Sequence, residues 1–198
     1  MSKIQHSAAS GTVQPSRYRL RKTVALVGMM GAGKTAVGRA VAAKLGVPFL
    51  DSDAEIEAAA NQSVQEIFDR DGEVFFRQRE SEIIARLLDT QRGILSTGGG
   101  VYLSELNRTN ITRGGVALWL NAGVDLLWQR VRHKDTRPLL RTKNPRATLE
   151  EIYATRTPIY ALSELSVRCD TKLSIDAMAE RVIAALAERP DVLEYLDA

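Results

Sequence analysis

A glycine-rich segment near the N-terminus is the clearest chemical signal in the sequence. Residues 28–35 read GMMGAGKT and match the pattern GxxxxGKT, directly after the apolar run Thr23–Val27 and at the start of a helical pattern. Glycines let backbone N–H groups surround phosphate oxygens, and a helix N-terminus adds partial positive charge. Lys34 can reach the outer phosphates of a nucleotide, and the Thr35 hydroxyl can ligate Mg²⁺. A glycine-rich turn with an exposed lysine is the alternative, and the context disfavours it.

Two carboxylates follow the next strand-like run. Asp51 and Asp53 come directly after Pro48–Leu50, and ligands of parallel sheets bind beyond the carboxyl ends of the strands. Strand alternation predicts that both side chains project to the same side, so one acid can serve a metal ion and the other a substrate hydroxyl. The alternative is that Asp53 is the N-cap of a helix that begins at Ala54. Beside a phosphate-binding loop, we favour the functional interpretation.

Two large classes of nucleotide-binding protein are disfavoured by what other segments lack. The nearest counterpart of a guanine-reading (N/T)KxD segment is TKLS at residues 171–174, which has no Asp. The run Gly93–Ser96 leads into Thr97 and three glycines, Gly98, Gly99 and Gly100, without the carboxylate by which motor-type ATPases hold Mg²⁺. A phosphate-binding loop with such a glycine turn is typical of a small-molecule kinase.

Short apolar runs alternate with longer amphipathic segments, and these elements must position the candidate residues. The strand-like runs are Thr23–Val27, Pro48–Leu50, Gly93–Ser96, Val116–Leu120 and Leu165–Cys169. The helical segments are Lys34–Leu45, Glu73–Leu88, Val124–Val131, Thr148–Leu162 and Ile175–Leu186. Strands separated by helices predict βαβ units, and hence an α/β fold in which helices flank a five-stranded parallel sheet.

Composition and charge limit the remaining possibilities. The 198 residues are 44% hydrophobic and 26% charged, as expected for a globular chain, and no apolar run is long enough to span a membrane. A single cysteine, Cys169, excludes a multi-cysteine zinc site. The formal net charge is +3, yet residues 1–50 carry eight basic residues and no acidic one, so the rest of the chain carries −5. Such a balance disfavours a uniformly basic nucleic-acid binder.

The polar residues of the N-terminus predict a disordered basic tail over residues 1–20, followed by one domain over 21–198. A cleaved transit peptide is the alternative for this tail, because it contains Ser and Arg and lacks acids. Its amphipathic pattern is poor, so we favour a cytoplasmic protein with a simple extension. The tail also leaves open a rival function, a nucleotide-dependent nucleic-acid-binding or regulatory protein.

Five motifs in register resemble those of the shikimate kinase family, and the resemblance covers about residues 23–171. They are FLDSD at 49–53, GE at 72–73 with FRQRE at 76–80, STGGG at 96–100, RPLL at 137–140 and RTPIY at 156–160. The resemblance implies a three-layer phosphate-loop fold with sheet order 2-3-1-4-5 and a mobile lid at about residues 130–145. It also implies transfer of phosphate from ATP to the 3-hydroxyl of shikimate, a step of aromatic amino acid biosynthesis by way of chorismate.

The resemblance further implies a role for each matching residue. ATP would be bound by Gly31, Ala32, Gly33, Lys34, Thr35, Ala36, Arg130 beside the adenine, and Arg137 on the lid. Shikimate would be bound by Asp53 at the attacking hydroxyl, by Arg77 and Arg156 at the carboxylate, and by Gly98, Gly99 and Gly100 beneath the ring. Thr35 and, through water, Asp51 would hold Mg²⁺. The catalytic residues would then be Lys34, Asp53 and Arg137.

Each arginine also has a plainer interpretation. Arg77 lies at helical spacing from Glu73 and Glu80 and can form ordinary ion pairs. Arg156 can lie on a solvated helix face, and Arg130 and Arg137 can belong to an exposed basic loop. Cys169 lies in an apolar strand with no adjacent histidine, so we expect it in the core. The sequence departs from the family after Asp170, where KLS at 172–174 lacks the usual proline and leaves the adenine contacts in doubt.

The nearest rival function is another small-molecule kinase, such as gluconate kinase. The paired Arg77 and Arg156 favour an acceptor that carries a carboxylate. We therefore predict a monomeric enzyme whose partners are ATP, shikimate and Mg²⁺, with neither nucleic acid nor membrane.

Overall fold

The computed structural model describes residues 17–133 and 138–196. Within these residues the strands are β1 (Tyr18–Leu20), β2 (Thr23–Val27), β3 (Phe49–Asp51), β4 (Ile94–Ser96), β5 (Gly115–Asn121), β6 (Leu165–Arg168) and β7 (Leu193–Tyr195). The helices are α1 (Lys34–Leu45), α2 (Ser52–Ala60), α3 (Val64–Thr90), α4 (Glu105–Gly114), α5 (Val124–Val131), α6 (Pro145–Tyr160) and α7 (Ile175–Ala187).

Five of the strands form one parallel sheet in the order β3-β4-β2-β5-β6. Counted without β1, this is the predicted order 2-3-1-4-5, which is confirmed. The central strand β2 is fully buried from Thr23 to Val27 and pairs with β4 on one side and β5 on the other. A strand covered on both faces must be apolar throughout, which is why this run shows no alternation.

Helices pack on one another along the sheet and complete the layers. Helix α1 packs against α7, and α3 packs against α4. The predicted helix Lys34–Leu45 is confirmed at both ends. The described segments include no helix with the length and apolar character needed to cross a bilayer.

Helix α3 differs from its prediction, because it begins nine residues before the expected Glu73. Ser63 caps its first turn and forms a capping box with Glu66. The helix is interrupted at Gly72, whose φ of 82° and ψ of 174° lie outside the helical region, and glycine takes such angles without a steric penalty. The predicted segment is therefore the second arm of a kinked helix, and α3 also packs against α2.

A small second sheet joins the two ends of the described chain. Strand β1 pairs antiparallel with β7, and the rings of Tyr18 and Tyr195 meet edge to face. Arg21 binds Glu194, and Asp191 accepts hydrogen bonds from both Lys22 and Arg189. The predicted tail of residues 1–20 is therefore wrong for residues 18–20. Three residues are too short for a periodic signal, and their partner strand lies more than 170 residues away.

The carboxyl ends of β2, β3 and β4 lie side by side, since the three strands are parallel neighbours. The phosphate loop follows β2, the carboxylate segment follows β3, and the glycine turn follows β4. The topology thus brings together three segments that are far apart in the sequence.

Candidate active site

The phosphate loop wraps the end of β2 and opens α1. Gly31 and Gly33 have φ of 81° and 98°, in the left-handed region that glycine takes at little cost. Gly33 is the N-cap of α1 and has no side chain to cap the first turn, so these N–H groups suit an anion. The Lys34 side chain is buried and donates to the carbonyls of Gly28 and Met29 at 2.8 and 3.1 Å.

A cavity of about 480 Å³ opens beside this loop. Arg130 lines it and donates from Nη1 to the carbonyl oxygens of Gly31 and Ala32, at 3.1 and 3.0 Å. The opposite wall is apolar and comes from the start of α7 and the residues before it. Its members are Leu173, Ile175 and Met178. These side chains lie in or just after residues 172–174, the segment that lacks the family's usual proline and so left the adenine contacts in doubt.

Cys169 is buried, as predicted, with 7% of its surface exposed. It also lines the nucleotide cavity, where its thiol lies 4.0 Å from the Ala32 carbonyl. Burial raises the pKa of this thiol, so it is held in the protonated, unreactive form at neutral pH.

Asp51 is the N-cap of α2. Its Oδ1 accepts hydrogen bonds from the backbone N–H groups of Asp53 and Ala54 at 3.1 and 3.5 Å. The alternative that Asp53 is the cap is therefore wrong. The strand-alternation argument also fails, because α2 begins at Ser52 and Asp53 belongs to its first turn. Both carboxylates nevertheless line the nucleotide cavity.

Three oxygen-bearing side chains meet beside the phosphate loop. Thr35 Oγ1 lies 3.5 Å from Asp51 Oδ2 and 3.2 Å from Ser96 Oγ. Hard oxygen donors with a single carboxylate suit Mg²⁺, which keeps several waters and takes further ligands from phosphates. The part of the chain that the structure describes contains no cluster of three or more His, Cys, Asp or Glu side chains that could hold a metal ion.

Asp53 lies mostly buried between the phosphate loop and the glycine turn. Burial raises the pKa of this carboxyl, the neighbouring charge of Asp51 raises it further, and Lys34 acts in the opposite direction. The Ser52 hydroxyl is completely buried, accepts from the Gly98 N–H at 3.0 Å and donates to Asp53 Oδ1 at 3.4 Å. Asp53 therefore occupies a fixed position and binds a proton more readily than an ordinary aspartate.

A second cavity, of about 190 Å³, adjoins the first. Arg77 and Arg156 line it from two different helices, α3 and α6, and apolar side chains complete its wall. The apolar members are Met30, Val64, Phe68, Phe76 and Leu139. Two cations over a partly apolar floor suit a small ring that carries a carboxylate.

Arg77 forms the predicted helical ion pairs and also lines this cavity. Its guanidinium donates to both oxygens of Glu80 at 3.1 and 3.0 Å, and to Glu73 at 3.3 Å. Glu80 is only 1% exposed, and burial raises its pKa while Arg77 lowers it. The pairs orient Arg77 towards the cavity, so the two interpretations of this residue are compatible.

The three glycines after β4 lie against the charged groups of the site. A Cβ atom at Gly98 would lie 2.9 Å from Asp53 Oδ1, and one at Gly100 would lie 2.5 Å from Arg77 Nη1. Any side chain at either position would displace a charged group. A Cβ at Gly99 would meet no atom closer than 3.9 Å, which leaves room on the cavity side.

Some residues that the sequence singled out cannot be placed, and others that it did not single out line the site. Arg137 and part of the predicted lid lie outside the described residues. Sequence reasoning gave no role to Ser52, Ser96 or Tyr160, although all three lie inside the motifs. Their hydroxyl groups are ordinary in sequence, and only their burial beside the site distinguishes them.

The fold and the two adjoining cavities define a phosphate-loop kinase that acts on a small molecule. The sequence pattern of the shikimate kinase family matches residues 30–187. A shikimate kinase from Ruegeria pomeroyi is 61% identical over 98% of this chain and 99% of its own length. The chain belongs to the shikimate kinase family.

Two further comparisons agree with this assignment. A shikimate kinase from Cereibacter sphaeroides is 58% identical over 89% of this chain and 88% of its own length. The solved structure of a shikimate kinase from Acinetobacter baumannii in complex with shikimate has a TM-score of 0.79 and 34% identity. That comparison covers 85% of this chain and 94% of the other. The resemblance of the five motifs is thereby confirmed.

Proposed function

We propose that this chain transfers the γ-phosphate of ATP to the 3-hydroxyl of shikimate and so forms shikimate 3-phosphate, a step of aromatic amino acid biosynthesis. The observation that carries this proposal is the meeting of the two cavities. Met30, Asp53, Gly98 and Gly99 line both of them. A carboxylate thus stands where a phosphate-binding cavity meets a cavity with two arginines.

The arginine cavity fits the chemistry of the acceptor. Arg77 and Arg156 hold the shikimate carboxylate, because guanidinium groups form charge-assisted, bidentate bonds with carboxylates. The glycine turn and the ring of Phe68 flank the acceptor ring. This grip at one end of the molecule leaves its hydroxyl groups directed towards Asp53. A gluconate kinase would share the fold, but an open-chain acceptor gives the apolar wall less to contact.

Catalysis depends on placement and on compensation of charge, because phosphoryl transfer needs little covalent help. The loop N–H groups and Lys34 hold the outer phosphates. Asp53 accepts a hydrogen bond from the attacking hydroxyl and keeps a carboxylate within reach of its proton, which its raised pKa favours. Thr35 and, through water, Asp51 would hold Mg²⁺, which neutralises phosphate charge when bound.

The remaining roles rest on the family resemblance. Arg130 flanks the adenine opposite the apolar wall of the nucleotide cavity. Arg137, on the lid at about residues 130–145, adds positive charge when the lid closes and excludes water. We further propose a single domain that includes β1, a monomeric enzyme and a cytoplasmic location, which gel filtration and cell fractionation can test.

A coupled assay for ADP release tests the proposed reaction. The full chain with ATP and Mg²⁺ should release ADP with shikimate, and should release little with gluconate or without an acceptor. A preference for gluconate would establish the rival kinase. Deletion of residues 1–16 tests a regulatory role of this segment, because it removes the residues before Arg17, among which Lys3 is the one Lys or Arg, and keeps β1. Loss of shikimate-dependent ADP release on this deletion, with the fold intact, would favour the regulatory alternative.

A further inference from the structure

Tyr160 joins two parts of the acceptor cavity through one oxygen atom. It is the last residue of α6 and is 1% exposed. Its hydroxyl donates to the carbonyl of Gly99 at 2.6 Å, across 61 residues of sequence. A short bond from a buried donor fixes the middle of the glycine turn against the end of α6.

The same phenol faces Arg156, one helical turn earlier. Residues four apart lie on the same face of a helix. Burial raises the pKa of Tyr160, and the neighbouring charge of Arg156 acts in the opposite direction. Arg156 in turn leans over the glycine turn, since its Nη1 is 4.0 Å from where a Cβ of Gly99 would lie. A hydroxyl that donates one hydrogen bond can still accept another, so the phenol oxygen that bonds Gly99 keeps its acceptor side for the guanidinium on the same helix face.

The ring of Tyr160 is itself held in place. It stacks on Trp119 of β5, with ring centroids 6.4 Å apart and an angle of 28° between the planes. Strand β5 is part of the buried sheet. The phenol oxygen is therefore fixed relative to the sheet, and not only relative to its own helix.

We propose that Tyr160 is a positioning residue that sets the distance between Arg156, at the carboxylate end of the acceptor, and the glycine turn, which adjoins Asp53 at the hydroxyl end. This inference rests on the proposed function. A Cβ at Gly98, next to Gly99, would lie 2.9 Å from the Asp53 carboxylate, so a glycine turn that moves away from α6 changes the space available between the two ends. Tyr160 lines neither cavity, and it acts through the groups that do.

The test is Tyr160→Phe, which removes one oxygen and keeps the ring on Trp119. We expect the KM for shikimate to rise about five- to twentyfold, in line with a hydrogen bond that borders a charged group. The kcat should change less than threefold and the KM for ATP less than twofold. The unfolding temperature should fall by no more than about 4 °C. Tyr153→Phe is the matched control, two turns earlier on α6, and should leave both KM values unchanged.

A double-mutant cycle separates positioning from general stability. In an Arg156→Ala background, Tyr160→Phe should raise the shikimate Kd, measured by calorimetry, less than twofold further. An unchanged KM for shikimate in folded Tyr160→Phe, equal losses for both substrates, or full additivity in the cycle would each overturn the inference. If wild-type protein releases no ADP with shikimate, the proposed function itself fails, whereas an active wild type with a normal Tyr160→Phe variant refutes only the role of Tyr160.

Discussion

Replacement of Asp53 by Asn should lower turnover sharply without harming the fold. Asn keeps the shape of the side chain and can still accept the hydrogen bond from Ser52 Oγ, now 3.4 Å from Asp53 Oδ1. It loses the negative charge opposite Lys34 and the ability to take up a proton. We expect turnover to fall by about 10²- to 10⁴-fold, which corresponds to about 3–5 kcal/mol of activation free energy. Shikimate binding should weaken less than tenfold, because both arginines still hold the carboxylate.

The stability of the same variant should move in the opposite direction. Because burial raises the pKa of Asp53, the folded protein binds this proton more tightly than the unfolded chain, and the ionised carboxylate destabilises the fold above its folded pKa. Asp53→Asn should therefore unfold at the same temperature as wild type or higher near pH 7. Any gain should fade as the pH falls through the folded pKa towards the unfolded value of about 3.9.

The assay is ADP release at saturating shikimate and ATP, with thermal unfolding of the same samples. Glu55→Gln is the matched control, since Glu55 lies on the same helix and pairs with Arg86 on the surface. It should keep normal turnover. A folded Asp53→Asn protein with turnover within tenfold of wild type would refute the reasoning and leave the acceptor hydroxyl without its partner.

Further predictions concern the phosphate loop, the two arginines and the terminal sheet. Lys34→Ala should raise the activation free energy by about 3–5 kcal/mol and so lower turnover in a folded protein. Turnover within tenfold of wild type would contradict the role of this lysine. Arg156→Ala and Arg77→Ala should each raise the KM for shikimate about ten- to hundredfold and change the KM for ATP little; equal effects on both substrates would indicate structural roles. Only Arg77→Ala should also lower the unfolding temperature, because it leaves Glu80 buried without this partner. Asp191→Asn should lower the unfolding temperature near pH 7, since two basic neighbours hold the pKa of Asp191 below its usual range. That difference should shrink as the pH falls below the unfolded value of about 3.9 and should vanish only below the much lower folded pKa, where both states are protonated; a difference that does not shrink on acidification would point to another cause.

Local patterns were sufficient for the main elements of the fold. The run Thr23–Val27 and the helix Lys34–Leu45 were predicted at their observed bounds, because a fully buried strand leaves a short continuous apolar run and an amphipathic helix leaves a helical period. The GxxxxGKT spacing identified the phosphate loop, since that backbone conformation requires glycine at fixed positions. The family resemblance supplied the sheet order, which neither period nor spacing contains.

Other features depend on contacts between distant segments. The pair Asp51 and Asp53 illustrates the difference, because their position after a strand suggested a metal ligand and a hydroxyl acceptor, whereas the alternative of a helix cap named Asp53 and the structure has Asp51 as the cap. Which carboxylate caps α2 depends on where the strand ends, and this shifts by a residue or two with tertiary packing. The strand Tyr18–Leu20 was missed for a related reason, since its only strand partner lies at the other end of the described chain.

By itself the sequence determined that this is an α/β protein with a phosphate loop, two candidate carboxylates and two candidate arginines, because these depend on residue type and short-range spacing. Only the tertiary structure decided that the nucleotide and acceptor cavities meet at Asp53, that Ser52 bonds Gly98, that Glu80 is buried beside Arg77, and that Tyr160 bonds Gly99. The bonds to the glycine turn join segments that are 46 and 61 residues apart. Burial in a shared site gives their ordinary hydroxyl and carboxyl groups a fixed geometry, and no local pattern encodes that burial.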